Sequence, residues 1–249
     1  MSDAAALKTY VQHHFVEMDT LARASRFTPS QIEALIKAKA IPEPAYSIWP
    51  NGAFSSPIGG RYGQPSGTPV NWYSADAIWW LRNAMILDAA PEVVSATFQA
   101  AFCAQFLQRL QQIPEAILGY SECYRNGRLE PELAHSLASR EWQDWAHGGY
   151  AVCLRKWNVH SLVTKTIERA RIITITDAGR KPVLSDLERA HLLQAMERLD
   201  AVLLPFAPHQ RPFGTPGLWI DAMLVHYGLG HPDTPSLDTK SQPGLDLCA

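Results

Sequence analysis

The stretch PEVVSATFQAAFCAQFLQRLQQ, residues 91–112, constrains the fold of this chain more than any other. Pro91 has no N–H to donate and a φ already suited to a helix, so it marks a first helical turn. The run continues for about six turns. It is apolar nearly all round, which predicts a central helix that other elements must cover.

Other helix starts are marked as clearly. Thr28, Pro29 and Gln31 spell a capping box with proline at the first helical position, and Ile32, Leu35 and Ile36 then share one face. Pro42 and Pro44 are expected to stop that helix. Ser74 is expected to cap a helix carrying Ile78, Leu81 and Met85 on one stripe. PELAHSLASREWQDWA ends at Gly148, the expected C-terminal glycine. Asn158, the Ser185/Glu188 pair and Thr215-Pro216 open three more helices. Between residues 45 and 73 the pattern changes. AYSIWPNGAF alternates and contains Asn51-Gly52, a hairpin signal, and a Gly/Pro/Ser-rich loop follows. The expectation is a mainly α-helical protein with one two- or three-stranded wing near residues 45–73. It has three parts: a module over 1–90, a helical bundle-like domain over 91–230, and a disordered tail over 231–249 rich in Pro, Ser, Thr and Asp.

With 47% hydrophobic and 18% charged residues, the 249-residue chain can bury a substantial core. A formal net charge of -2 gives no global attraction to nucleic acid or anionic membrane. MSDAAALKTY lacks the basic and apolar regions of a signal peptide, and no apolar run reaches the roughly 20 residues of a membrane span. The four cysteines form no CxxC pair, which fits a reduced compartment, so the expected location is cytoplasmic.

Helix, turn, helix, hairpin, helix over residues 16–87 resembles the winged helix-turn-helix of MerR-type regulators. Charge argues against the DNA binding that this resemblance implies. Lys8, Arg23, Arg26, Lys37, Lys39, Arg61 and Arg82 are balanced by Asp3, Glu17, Asp19, Glu33, Glu43, Asp76 and Asp88. Neutralising several phosphates needs a basic face. The module is therefore expected to pack on the rest of the protein or on a partner.

Two stretches carry the candidate chemistry: HGGYAVCLRK, residues 147–156, and LLPFAPHQRPFGTPG, residues 203–217. The first places two glycines beside Tyr150, Cys153, Arg155 and Lys156. The second is a loop stiffened by four prolines that presents His209 and Arg211. GGYAVCLR followed by Lys165, FAPHQRP followed by Asp221, and the opening LARASRFTPSQIEALIKAKAIPEPAYSI resemble a bacterial family of unknown function linked to natural product biosynthesis. The resemblance covers most of residues 7–228. It sets Gly148, Gly149, Tyr150, Cys153, Arg155, Lys165, Pro208, His209 and Arg211 at motif positions. The chain departs from the pattern at KWNVHSL and Thr166. The resemblance implies a pathway and no reaction.

From the residues themselves, Arg155, Lys165 and Arg211 are candidates to hold a carboxylate or phosphate, with Gly149 letting backbone N–H groups approach the anion. Gly148, Gly149 and Tyr150 complete the expected ligand site. Cys153 with His209 is a candidate thiolate–imidazole pair for nucleophilic catalysis, against the plainer reading of Cys153 as a small buried hydrophobe. The histidines stand at no recognised metal spacing, and HExxH, GxSxG and phosphate-loop motifs are absent. The sequence specifies no cofactor. The resulting expectation is a cytoplasmic protein of a natural-product pathway that binds an anionic small molecule, as enzyme or accessory protein. The alternative is a MerR-like regulator with a helical ligand-sensing domain. A homodimer is compatible with either; a membrane partner is with neither.

Overall fold

The computed structural model describes residues 3–230, so the expected tail over 231–249 lies outside the described residues. Helix α1 (Asp3–His14), which the sequence patterns did not announce, runs directly into strand β1 (Phe15–Glu17). Helices α2 (Met18–Ser25) and α3 (Pro29–Lys37) follow, and the Thr28/Gln31 capping box forms as expected. The prolines do not end α3. Ala38 closes it and Lys39 turns left-handed at φ 62°, three residues ahead of Pro42.

The wing is larger than expected. Strands β2 (Tyr46–Ile48), β3 (Phe54–Ser56), β4 (Gly60–Tyr62) and β5 (Val70–Ser74) join β1 in one antiparallel sheet of order β1-β5-β2-β3-β4. The expected turn lies between β2 and β3, with Gly52 at φ 85°. Strand β4 was hidden because it lies within a Gly-rich loop and has only three residues. β1 was hidden because its pairing with β5 spans more than fifty residues and leaves no local pattern.

Helix α4 (Ala77–Leu87) buries Ala77, Trp80, Leu81 and Ala84, while Trp79 and Met85 face outward. Ser74 does not cap it; Asp76 takes the cap position. Helix α5 (Pro91–Gln112) is one-sided rather than enclosed. Val94, Phe98, Phe102, Phe106 and Leu110 form its buried stripe, and Val93 on another face is 54% exposed. Its other faces carry mainly alanine, glutamine, serine and threonine, which water tolerates well. Helix α6 (Ala116–Gly119) and a hairpin of β6 (Tyr124–Arg125) and β7 (Arg128–Leu129) lead to α7 (Pro131–Ala146), α8 (Val159–Thr176), α9 (Asp186–Val202) and α10 (Ala222–His226). The Asn158 cap and the Ser185/Glu188 capping box form as read from sequence. The structure is mainly α-helical with a small antiparallel sheet. No described helix is long and apolar enough to cross a membrane.

Aromatic rings hold the helices together. Trp157 stacks on Trp145 at 5.4 Å, on Phe102 at 5.1 Å and on Tyr150 at 4.9 Å. Trp80 of α4 meets Trp142, Trp145 and Phe98 within 5.6 Å. One continuous core includes Leu21, Ile32 and Leu35 from the N-terminal segment together with Phe98, Leu162 and Leu199, so residues 1–90 and 91–230 share their interior. A second, smaller core packs Tyr10, Phe15, Tyr46, Phe54 and Trp72 against Val152 and Ala207.

Gly148 answers to both its own turn and this packing. After α7, its N–H bonds Trp145 O and the Gly149 N–H bonds Asp144 O, a Schellman termination that needs φ > 0. Gly148 sits at φ 81°, and a Cβ there would lie 2.9 Å from Pro57 Cγ and 3.2 Å from Glu43 O. Gly127, in the β6–β7 turn at φ 73°, has open space around it. Gly127→Ala is therefore expected to cost about 1 kcal/mol, and Gly148→Ala roughly 3 kcal/mol, because crowding is added to strain. Urea unfolding of both variants tests this; equal costs would mean that the N-terminal segment does not press on the end of α7.

Candidate functional site

The two stretches that drew attention in the sequence meet in space. The Arg155 N–H bonds Val202 O at 3.0 Å and the Leu204 N–H bonds Cys153 O at 2.9 Å, so Leu154 and Leu203 pair as an antiparallel bridge. This short ladder joins the segment after α7 to the exit of α9. It separates the candidate side chains into two groups on different sides.

On the inner side, Tyr150 donates its hydroxyl to Glu141 of α7. Lys165 of α8 lies over the Tyr150 ring, 5.0 Å from its centre, and donates to Cys153 Sγ at 3.5 Å. Burial pushes the Cys153 thiol above its ordinary range, and Lys165 draws it back only in part. Burial likewise pushes the Glu141 carboxyl and the Tyr150 hydroxyl up. The sequence patterns missed Glu141, because it reaches Tyr150 only by the reversal of the chain at Gly148. This closed network of lysine, thiol, phenol and carboxyl braces α7 against α8.

On the outer side lies a cavity of about 360 Å³ between the sheet and the loop after α9, lined among others by Ser56, Ile58, Tyr62, Phe206, His209 and Phe213. The His209 ring meets Phe54 and Tyr62 edge-on at 5.8 and 6.4 Å. Both of its ring nitrogens are enclosed and neither has a hydrogen-bond partner. Beside it, Gln210 accepts a hydrogen bond from the Tyr46 hydroxyl at 2.8 Å. Loop 206–217 is tightly wound: a Cβ on Gly214 would strike the Phe206 ring at 2.4 Å, and one on Gly217 would lie 2.0 Å from Arg211 O. The rim is apolar yet exposed, with Phe213 82% and Ile58 62% accessible.

The expected anion clamp does not assemble. Arg211 forms a two-pronged ion pair with Asp221, at 2.6 and 2.8 Å. Lys165 points inward, and Arg155 is exposed on the surface. The N–H groups of Gly148 and Gly149 are consumed by the end of α7 and offer nothing to an anion. Cys153 and His209 do not meet either: the thiol contacts Lys165 and the backbone oxygens of Gly149 and Tyr150, on the inner side. Val152, next to Cys153, does line the His209 cavity. Among the described residues, no group of three or more His, Cys, Asp or Glu side chains is placed to hold a metal ion.

The raised Glu141 pKa has a measurable consequence. A carboxyl whose folded pKa lies above its unfolded value holds more protons in the folded state between the two. Its contribution to stability therefore falls as pH rises from the ordinary value of 4.5 through the folded value. Glu141→Gln keeps an acceptor for Tyr150 without the charge. Its stability relative to the parent chain is expected to grow across that window and level off above it, as read by urea unfolding at a series of pH values. A difference independent of pH would show that Glu141 is not held with a raised pKa.

No curated protein and no solved structure shows significant similarity to this chain. Residues 98–228 match the model of a family of unknown function, DUF6058. The match takes in the Schellman turn, the inner network and the His209 loop. It leaves out the sheet, which supplies the opposite wall of the cavity. It spans more than half of the 249 residues, and the chain belongs to the DUF6058 family of unknown function.

Proposed function

We propose that this protein binds a small anionic molecule in the His209 cavity, as a component of a bacterial natural-product pathway. The observation that carries the reading is the His209 imidazole, whose two nitrogens are both enclosed and unpartnered. An unsatisfied buried polar group costs about 1–3 kcal/mol. A ligand carboxylate accepting an imidazole N–H would recover part of that cost and supply the anion. The volume of about 360 Å³ suits a small organic molecule, and the exposed rings of Phe213 and Tyr62 suit its apolar body.

The N-terminal segment provides Ser56, Ile58 and Tyr62 as one wall of the cavity. A DNA-reading role is the weaker alternative. The exposed positions of α3 are Pro29, Ser30, Gln31, Glu33, Ala34 and Lys37, and Lys39 is paired with Glu43. That face is no counter-surface for phosphates. Thiol chemistry is also disfavoured, because Cys153 is buried, its thiol is held protonated, and no imidazole reaches it.

His209→Phe removes the two nitrogens and keeps a ring of similar size. It is expected to stabilise the free protein by about 1 kcal/mol, since an unsatisfied polar group is replaced by an apolar one. The variant should also lose the thermal shift that carboxylate metabolites produce with the parent chain. A ligand at a hundred times its dissociation constant adds about 2.7 kcal/mol, so a library screen resolves the loss. Destabilisation by His209→Phe, or equal shifts in both proteins, would overturn the reading.

A further inference from the structure

A second set of charges lies in the helical part, away from the His209 cavity. Glu168 of α8 has a side chain only 7% exposed. It accepts from Arg171 at 3.3 Å and from Arg198 of α9 at 3.0 Å. Arg171 also reaches Glu115 at 2.9 Å. Arg109, near the end of α5, is different. No carboxylate lies within ion-pair distance of it among the described residues. Among the described residues its side-chain hydrogen-bond partner is His160 Nδ1, 3.4 Å from one terminal nitrogen, and its Nε is enclosed without an acceptor. Arginine only donates, so in this contact His160 Nδ1 is the acceptor.

Arg109, His160, Glu168, Arg171 and Arg198 line a groove of about 430 Å³, and Glu115 lies in the hollow beside it. A neighbouring hollow of about 350 Å³ shares Arg171 and Arg198 with it. In the groove three guanidinium groups face the single carboxylate of Glu168, and Ile113 and Ile167 give it an apolar floor. Glu168 and Glu115 together balance Arg171 and Arg198, so the surplus positive charge resides at Arg109. Guanidinium groups at fixed angles around a hollow match the oxygens of a phosphoryl group, each fork giving parallel N–H bonds.

We propose that this groove is a phosphate site for a phosphorylated small molecule. The phosphoryl group bridges Arg109 and those N–H groups of Arg171 and Arg198 that Glu168 and Glu115 do not take up, and the organic part extends into the neighbouring hollow. The site is independent of the His209 cavity, and every residue named lies within the span matched by the family model.

The test is calorimetric titration of the full chain with inorganic pyrophosphate, at constant ionic strength held with sodium chloride. The parent protein is expected to show one saturable site, with inorganic phosphate weaker than pyrophosphate. Arg109→Gln should weaken pyrophosphate about tenfold or more, as loss of a charge-assisted hydrogen bond implies. Thr164→Glu, which places an acid on the groove wall, should do the same without touching an arginine and decides the matter if Arg109→Gln fails to fold. No saturable binding to the parent chain, or equal affinity in a folded Arg109→Gln or Thr164→Glu variant, would mean that the arginines only brace α8 and α9, and the proposal falls.

Discussion

Trp157 is the residue on which the arrangement depends. Its indole stacks nearly parallel on Trp145, Phe102 and Tyr150, at interplanar angles of 9°, 14° and 22°. Its backbone N–H bonds the Asp76 carboxylate at 2.8 Å, at the start of α4. Three helices, α4, α5 and α7, thus converge on one residue of a connecting segment, against which Tyr150 of the same segment also stacks. Aromatic pairs add about 0.5–1.5 kcal/mol each beyond their buried area, and here they share a single ring. The helices surround a loop residue, and this sets the course of residues 147–158.

That course positions everything after it. With Tyr150 held against Trp157, its hydroxyl faces α7 and meets Glu141, and Cys153 turns toward α8 and Lys165. Val152 is left facing the sheet, where it closes one side of the His209 cavity. The side chains diverge because residues 147–153 wind through successive turns, with the N–H groups of Cys153 and Leu154 both bonding Tyr150 O, before Leu154 pairs with Leu203. Residues adjacent in the sequence motif therefore serve different surroundings: a sealed polar network within, and a cavity without.

Several charges of the helical part that could have met a ligand are used within the protein. Arg171 and Arg198 are held by Glu168, Arg211 by Asp221, and Lys165 is turned inward. Breaking one partner of a buried pair is costly, since the other charge is stranded. Two side chains with enclosed, unpartnered nitrogens stand out. His209 has enclosed nitrogens without partners, and Arg109 has a charge without a counter-charge. Both line hollows, and it is their isolation that marks them.

The sequence by itself determined the local elements. Thr28/Gln31, Ser185/Glu188 and Asn158 cap their helices as written, Asn51-Gly52 turns its hairpin, and Gly148 ends α7. These depend on residues within a few positions of one another, where backbone sterics and side-chain caps act alone. Tertiary structure decided what local rules do not reach. It paired β1 with β5, chose which face of α5 is wet, gave Arg211 to Asp221 rather than to a ligand, and set Cys153 apart from His209. Asp221, Glu141 and Glu168 look like ordinary surface acids in the sequence. Only packing showed that they are the partners, because a charge finds its counter-ion by distance in space, and Coulomb energy takes no account of separation along the chain.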